Sequence, residues 1–385
     1  MPKTHALLGP SKAHRWMHCP PSARLEEEFP NTSSDAADEG TLAHTISELL
    51  LKNHLKLMPK VLFEKELKKA KADKFYNAEM LGHCQSYVSY IVEKMQELKN
   101  PMIFIEESLD LEEFIPEGHG TTDCSIVAEG VLDVNDFKYG KGVFVEAKEN
   151  EQMMIYGLGA YLKYSLSYDI HTVRMSIFQP RLDNYSTWEI SVEDLLRWAN
   201  EVLKPSAQKA FEGKGTYSPG DHCKFCKARN TCRALADFNM ELAQFEFRDA
   251  ERLKPEEISE ILEKGQSLVE WYNSVKAYAL DQAKNGKKFP GFKLVAGKSN
   301  RQYVSEESVI RVLKSKKISQ DLYLTEPTLV SIGILEKNIG KAKVEDLIGK
   351  LIVKPSGAPT LVPEWDKRPE LNSNEAAKRA FENID

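Results

Sequence analysis

The sequence predicts a mixed α/β protein, and three observations predict it. Apolar residues recur at helical spacing up to about residue 98. Between residues 102 and 147 they gather into short runs punctuated by Gly118, Gly120, Gly130 and Gly140. The helical period then returns near residue 150. The resulting order, helices, several strands, helix, strand, helix, is that of a central mixed sheet flanked by helices. A chain of 385 residues can hold one large domain or two ordinary ones. The division expected is 1–240 as the chemically active domain and 241–385 as an α-rich, helical and extended C-terminal region.

Each element has a local reason. A short helix through Arg15, Trp16 and Cys19 is stopped by Pro20 and Pro21. Leu42, Ile46, Leu49 and Leu50 give a helix over 36–55. The lysine-rich stretch 60–74 reads as a solvated helix or a linker, and Leu81, Tyr87, Ile91 and Met95 mark another helix over 75–98. Strands are expected at 102–107, 122–128, 131–137 and 142–147. A helix over 150–166, a strand over 172–179 and a helix over 192–211 follow. After a cysteine-rich segment the chain is helical again from 255 to 284. The tail KPSGAPTLVPEWDKRPEL reads as an extended strap packed over the catalytic domain by Leu361, Val362 and Trp365, or as a DNA-lining arm that uses Trp365 for base stacking.

Composition narrows the function classes. No apolar run reaches the ~18 residues of a membrane span, and the opening MPKTHALLGPSKAHRW lacks the apolar stretch of a secretory signal. A cytoplasmic location, without membrane contact, is therefore expected. The net charge of −6 argues against a protein that coats nucleic acid along its length, but leaves room for a local basic cleft.

The segment GTTDCSIVAEGVLDVNDFKYGKG concentrates the chemistry. Asp123 is expected to open one strand, with Asp136 and Lys138 at i and i+2 near the end of the next. Alternation along a strand puts Asp136 and Lys138 on one face. A tight turn at Glu129–Gly130 makes the strands neighbours, so that Asp123 approaches the same spot. Two converging carboxylates suit Mg²⁺ or Mn²⁺, and Lys138 adds a positive charge. Glu146-x-Lys148 has the same acid-x-lysine form. Asp136 is preferred because its segment is the better strand and leads into a glycine turn.

Six cysteines include a compact Cys223-x-x-Cys226-x5-Cys232 run, which in a cytosolic chain reads first as metal binding. Three thiolates need a fourth ligand to close a tetrahedral zinc site or a cubane cluster. Cys19 is the candidate, and His18 or His222 would serve for zinc. Cys84 and Cys124 read as simple buried thiols.

In this order the residues resemble the RecB branch of the PD-(D/E)XK nucleases. That resemblance implies a restriction-endonuclease-like core with Asp123, Asp136 and Lys138 at its centre. It implies that His44, after Gly40 in EGTLAHTISELL, completes the metal site. It also implies that Gln152 and Tyr156, one helical turn apart, contact the DNA backbone or order the catalytic lysine. The split cysteine layout is similar to that of AddB-type helicase–nucleases and CRISPR-associated adaptation nucleases. It implies a [4Fe–4S] cluster on Cys19, Cys223, Cys226 and Cys232 that staples the domain ends, with structural Zn²⁺ as the alternative. The resemblance spans about residues 10–235 and extends to a phage- and prophage-encoded group that shares the C-terminal segment. The function implied is a metal-dependent deoxyribonuclease, an exonuclease or flap-type enzyme in phage recombination or replication, acting in the bacterial host cytoplasm. The alternatives are a structure-specific endonuclease and a catalytically idle DNA-end-binding module. No GxxxxGK[ST] is present, so DNA unwinding would come from a helicase or recombination partner.

Overall fold

The computed structural model describes residues 6–31, 34–244, 255–297, 302–325, 328–329, 331–353, 357–363 and 370–371. It divides into two compact units, 1–252 and 253–385.

The first unit opens with a 3-10 turn at Pro10–Lys12 and two short helices, α1 (Ala13–His18) and α2 (Ser22–Leu25). Three longer helices follow, α3 (Asp35–His54), α4 (Lys60–Lys71) and α5 (Ala78–Glu97), so the lysine-rich stretch is a helix. The chain then forms β1 (Met102–Asp110), β2 (His119–Ala128) and β3 (Gly130–Phe137), crosses over through α6 (Glu151–Tyr164), and returns as β4 (Ile170–Gln179) and β5 (Asn184–Ser191). Helices α7 (Val192–Trp198), α8 (Lys204–Glu212) and α9 (Arg233–Gln244) complete it. Side chains of Ser34, Asn77 and Asn150 accept the backbone N–H of Ala37, Met80 and Met153 at the starts of α3, α5 and α6, satisfying donors that a helix leaves open.

The sheet is five-stranded and mixed, in the order β1-β2-β3-β4-β5. Only β3 and β4 run parallel; the other neighbours are antiparallel. The β2–β3 hairpin turns at Glu129 and Gly130, where Gly130 has φ +81°, a conformation that glycine adopts without steric cost. Helices cover both faces. On one, Cys124, Ile126, Phe137 and Phe178 pack with Ile46, Tyr87 and Ile91 of α3 and α5. On the other, Val127, Leu132, Val134 and Val173 pack with Ile155 and Leu158 of α6 and with Leu195, Ala199 and Leu203. The buried Lys94 ammonium bonds both Asp133 oxygens (3.1 and 2.8 Å) and Ser176 Oγ (2.7 Å), which ties α5 to the sheet.

Helix α6 lies close to the sheet because it carries glycines on its inner face. A Cβ at Gly157 would sit 2.8 Å from Val173 Cγ1. Gly157→Val should therefore lower stability by about 1–3 kcal/mol through overpacking, read as a fall in the thermal or denaturant midpoint.

Two expectations need correction, and two features were not foreseen. Asp123 does not open its strand but lies in the middle of β2. Residues 142–147 form no strand; side chains from β4 and β5 occupy their backbone groups instead. Gln179 Nε2 donates to the Gly140 and Val143 carbonyls, Asn184 Nδ2 to Val145 O, and the Ala147 N–H donates to Ser186 Oγ. The helix over 192–211 contains a π turn at Ala199–Leu203, just before Pro205, whose missing N–H and ring disturb the regular i→i−4 ladder. Strand β5 was not anticipated at all.

The second unit holds α10 (Pro255–Lys284), β6 (Phe292–Gly297), β7 (Gln302–Tyr303), α11 (Glu306–Ser315), β8 (Leu324–Thr325), β9 (Thr328–Leu329), α12 (Ile332–Ile339), α13 (Lys341–Ile348), β10 (Ile352–Val353) and β11 (Gly357–Pro363). Val309, Leu313, Tyr323, Leu335, Val344 and Ile348 form its core. The stretch expected as a strap includes β11, paired antiparallel with β6; Trp365 lies outside the described residues. Among the described residues no helix is long and apolar enough to cross a membrane.

Candidate active site

The β2–β3 hairpin sets the geometry of the site. Its last ladder pair is Cys124 with Asn135. One residue further on, Asp123 uses its side chain in place of its backbone, accepting the Phe137 N–H at Oδ2 (2.7 Å). Asp136 and Lys138 have the strand parity of Leu132 and Val134, which pack in the core beneath α6. Lys138 Nζ donates to Asp136 Oδ1 (3.3 Å) and lies 3.0 Å from Oδ2. Asp136 Oδ2 is buried and accepts no hydrogen bond of its own.

Helix α6 supplies the next layer. Gln152 Oε1 accepts from Lys138 Nζ (3.0 Å), while Gln152 Nε2 lies 3.4 Å from both Asp136 Oδ1 and Tyr156 OH. One amide thus holds the lysine and faces its carboxylate, and one turn later the phenol buttresses the amide. From α3, His44 Nδ1 reaches Asp123 Oδ1 at 3.2 Å. Four of the sequence-derived residues, Asp136, Lys138, Gln152 and Tyr156, are therefore linked through their side chains; Asp123 meets the same strand through the Phe137 N–H, and His44 pairs with Asp123.

The structure adds Glu106, which sequence reasoning missed. Glu106, His44 and Asp123 offer three donor atoms that all lie within 4.8 Å of one another. Glu106 adopts φ +54°, unusual for a non-glycine residue and a form of strain found preferentially at functional sites. The only signal in the sequence was the Glu106–Glu107 pair, since adjacent acids on a strand point to opposite faces. Glu107 indeed pairs with Lys163 of α6.

Charge is unevenly shared across the cluster. Burial opposes ionisation of Asp123, but the His44 charge and hydrogen bond, the Phe137 N–H and Lys138 outweigh it and hold the carboxyl below its usual range. Burial pushes Asp136 up; Lys138 opposes the rise and Asp123 reinforces it. Burial and the neighbouring Asp123 raise Glu106 to about 7. Burial would lower His44, but Asp123 overcomes it and raises the imidazole to about 9. Tyr156 is pushed up by burial and by Asp136, so its phenol stays neutral. Acids packed this closely retain protons that a divalent cation would replace. Oxygen donors, one imidazole and a buried Asp136 carboxylate whose neighbour is the Lys138 ammonium are a donor set that fits Mg²⁺ or Mn²⁺.

The rival acid does not join this site: Glu146 is exposed in the loop before α6, and so is Lys148.

The cysteines gather elsewhere in the same unit. All six are free. Cys19 is buried at the end of α1. Cys223 lies in the 3-10 turn Asp221–Phe225, with Cys226 and Cys232 in the loop that leads to α9. Burial raises the Cys223 thiol, and Cys19 and Cys232 are close enough to add to the rise; Cys226 is pushed up to about 11, again mainly by burial. Polar contacts fasten the N-terminal segment to this loop. Arg15 Nη1 donates to Phe225 O (3.0 Å) and Nη2 pairs with Glu26 Oε2 (2.9 Å), while the Lys227 N–H donates to Glu26 Oε1 (2.9 Å). The two histidines considered for zinc have other partners. His18 Nε2 lies 3.0 Å from Glu151 Oε1, and His222 Nε2 donates to Ser218 O at 2.8 Å.

Over residues 5–369 the chain matches the family described as Protein of unknown function (DUF2800). It belongs to that family. Among solved structures, this DUF2800 chain is similar to a protein from Eubacterium rectale that carries the provisional name exonuclease. Identity is 10%, the TM-score is 0.33, and the match covers 64% of this chain and 90% of that one. It is also similar to a protein named SSO0001, at 11% identity and a TM-score of 0.23, covering 56% of this chain and 95% of the other. At these TM-scores neither likeness bears on the chemistry, which rests on the side chains of the DUF2800 chain itself.

Proposed function

We propose that this chain is a Mg²⁺- or Mn²⁺-dependent deoxyribonuclease of the PD-(D/E)XK type. The convergence of Asp123, Asp136 and Lys138 at one end of the β2–β3 hairpin, with Gln152 holding the lysine, is the observation that carries this reading. Asp123 and Asp136 would hold the cation, with His44 and Glu106 at its rim. The cation would activate water and neutralise charge on the scissile phosphate. Lys138 would place its ammonium against the phosphoryl oxygens, held there by Gln152. Tyr156 would brace Gln152 and present its neutral hydroxyl to the DNA backbone.

The finer parts of the proposal are an exonuclease or flap-type action on single-stranded or end-containing DNA, in phage recombination or replication in the bacterial cytoplasm, with a helicase or recombination partner. Cys19, Cys223, Cys226 and Cys232 would hold a [4Fe–4S] cluster as a structural staple. Cys19 and Cys226 are buried and Cys223 and Cys232 half-buried, with Cys223 near the other three; this and the polar contacts that bind the two segments support it.

The deciding experiment compares linear and circular single strands, each with Mg²⁺ and with Mn²⁺, using protein prepared anaerobically. Degradation of the linear strand alone supports the end-dependent enzyme. Cleavage of both means an endonuclease on the same core. Tight binding of linear ends without cleavage under either metal would replace the enzyme by an end-binding module.

Two further outcomes belong to the same centre. His44→Ala should raise the Mg²⁺ concentration needed for half-maximal rate more than it lowers the melting temperature; an unchanged metal titration would remove His44 from the site. Cation binding must also displace protons. His44 is raised to about 9 and Glu106 to about 7, so between those values one proton leaves, and below about 7 two leave. Metal affinity should therefore rise by about tenfold per pH unit from pH 7 to 9, and more steeply below 7. Calorimetry in buffers of different ionisation enthalpy reads the protons directly.

A further inference from the structure

A second group of metal-capable side chains lies outside the carboxylate–lysine centre, where α1, the first turn of α6 and the cysteine loop meet. We propose that His14, His18 and Glu151 bind one divalent cation of the zinc class, with Asp221 orienting His14.

The two histidines are spaced i and i+4 on α1, so their rings emerge from one face of the helix; the ring centroids are 4.7 Å apart. Both rings address the same carboxylate oxygen: Glu151 Oε1 lies 3.3 Å from His14 Nδ1 and 3.0 Å from His18 Nε2. For metal–ligand bonds of ~2.0–2.1 Å, tetrahedral geometry separates donor atoms by about 3.3 Å. The three donor atoms all lie within 4.8 Å of one another. About half of each histidine side chain is exposed, against 21% for Glu151, which leaves a side open for water as a further ligand.

An independent observation comes from the far side of the His14 ring. His14 Nε2 sits between the two oxygens of Asp221, at 3.2 and 3.3 Å. The carboxylate can only accept, so Nε2 carries the hydrogen. Glu151 Oε1 is an acceptor too, so without a cation Nδ1 also carries a proton. Burial would lower His14, but Glu151 and Asp221 outweigh it and raise the ring, and a bound cation would take that proton's place on Nδ1. Carboxylate, imidazole and metal in that sequence is the arrangement that fixes the tautomer of a metal-bound histidine. His222, held by Ser218 O, stacks on His18 with ring planes 20° apart and walls the site. Two imidazoles with one carboxylate favour zinc-class ions over Mg²⁺. The site is distinct from the cysteines, because His18 and Glu151 face each other and not a thiol. Glu151 immediately precedes Gln152, so an ion here would also fix the start of the helix that holds Lys138.

The test is zinc stoichiometry of the full-chain protein, measured by competition with a chromogenic chelator. Wild type should bind one equivalent more than His14→Ala or His18→Ala. Asp221→Asn should keep that equivalent with affinity lowered about 10–100-fold. Glu151→Gln preserves shape and should lose the same equivalent, which guards against a folding defect in the alanine variants. Cys223→Ser should keep it, and cobalt bound there should lack the charge-transfer absorption of a thiolate site. Zinc stoichiometry in both histidine variants equal to wild type would overturn the proposal. So would an equivalent that disappears with Cys223→Ser and persists in the histidine variants.

Discussion

Asp136→Asn is expected to reduce metal-dependent cleavage by at least the ~10²–10³ lost when one charge-stabilising group is removed from an active site, with little change in melting temperature. Asparagine keeps the size of the side chain and can still meet Gln152 and Lys138. What it loses is charge, and burial already disfavours that charge at this position. Activity and stability should therefore separate, which distinguishes loss of a metal ligand from loss of the fold. Asp123→Asn should be as inactive but less stable, because the raised His44 would lose its counter-charge. Initial rates at saturating Mn²⁺, with thermal denaturation of the same samples, check both. Full activity in Asp136→Asn together with loss in Glu146→Gln would transfer the role to the exposed acid.

The second large effect concerns the cysteines. A four-thiolate clip between Cys19 and Cys223 would close a loop of roughly two hundred residues. By analogy with a long-loop disulfide in the chain-entropy model, that closure is worth about 5 kcal/mol. Anaerobically purified protein should be brown, and Cys→Ser at position 19, 223, 226 or 232 should bleach it and lower the unfolding midpoint accordingly. Cys84→Ser and Cys124→Ser should keep the colour. Both thiols are fully buried on the α3/α5 side of the sheet, away from the α1 end. Metal analysis that finds one zinc and no iron, with iron supplied during anaerobic expression, would contradict the cluster. Colour surviving Cys19→Ser would remove the staple.

Periodic features were legible in the sequence. The i, i+4 spacing of Gln152 and Tyr156 and the i, i+2 spacing of Asp136 and Lys138 reflect helix and strand geometry, and the structure joins all four. Parity also separates the two acids of β3. Asp133 points to the opposite face from Asp136 and pairs with Lys94, a distinction that composition alone cannot make. Strand β5 was readable in principle, because NYSTWEIS is rich in β-branched and aromatic residues and alternates in burial. The loop at 142–147 was not: its apolar residues suggest a strand, and only the distant amides of Gln179 and Asn184 decide otherwise. Glu106 was equally hidden, since its place in the site depends on a left-handed backbone and on a helix some sixty residues upstream, far outside the window of about 11–18 residues in which periodicity is read.

The location of Mn²⁺ in crystals of the protein, read from anomalous scattering, tests the central claim most directly. The account predicts a peak between the Asp123 and Asp136 carboxylates, within bonding distance of both and beside His44 and Glu106. It should vanish in Asp136→Asn. A centre empty of manganese at concentrations that saturate cleavage, or a peak only at His14, His18 and Glu151, would contradict it.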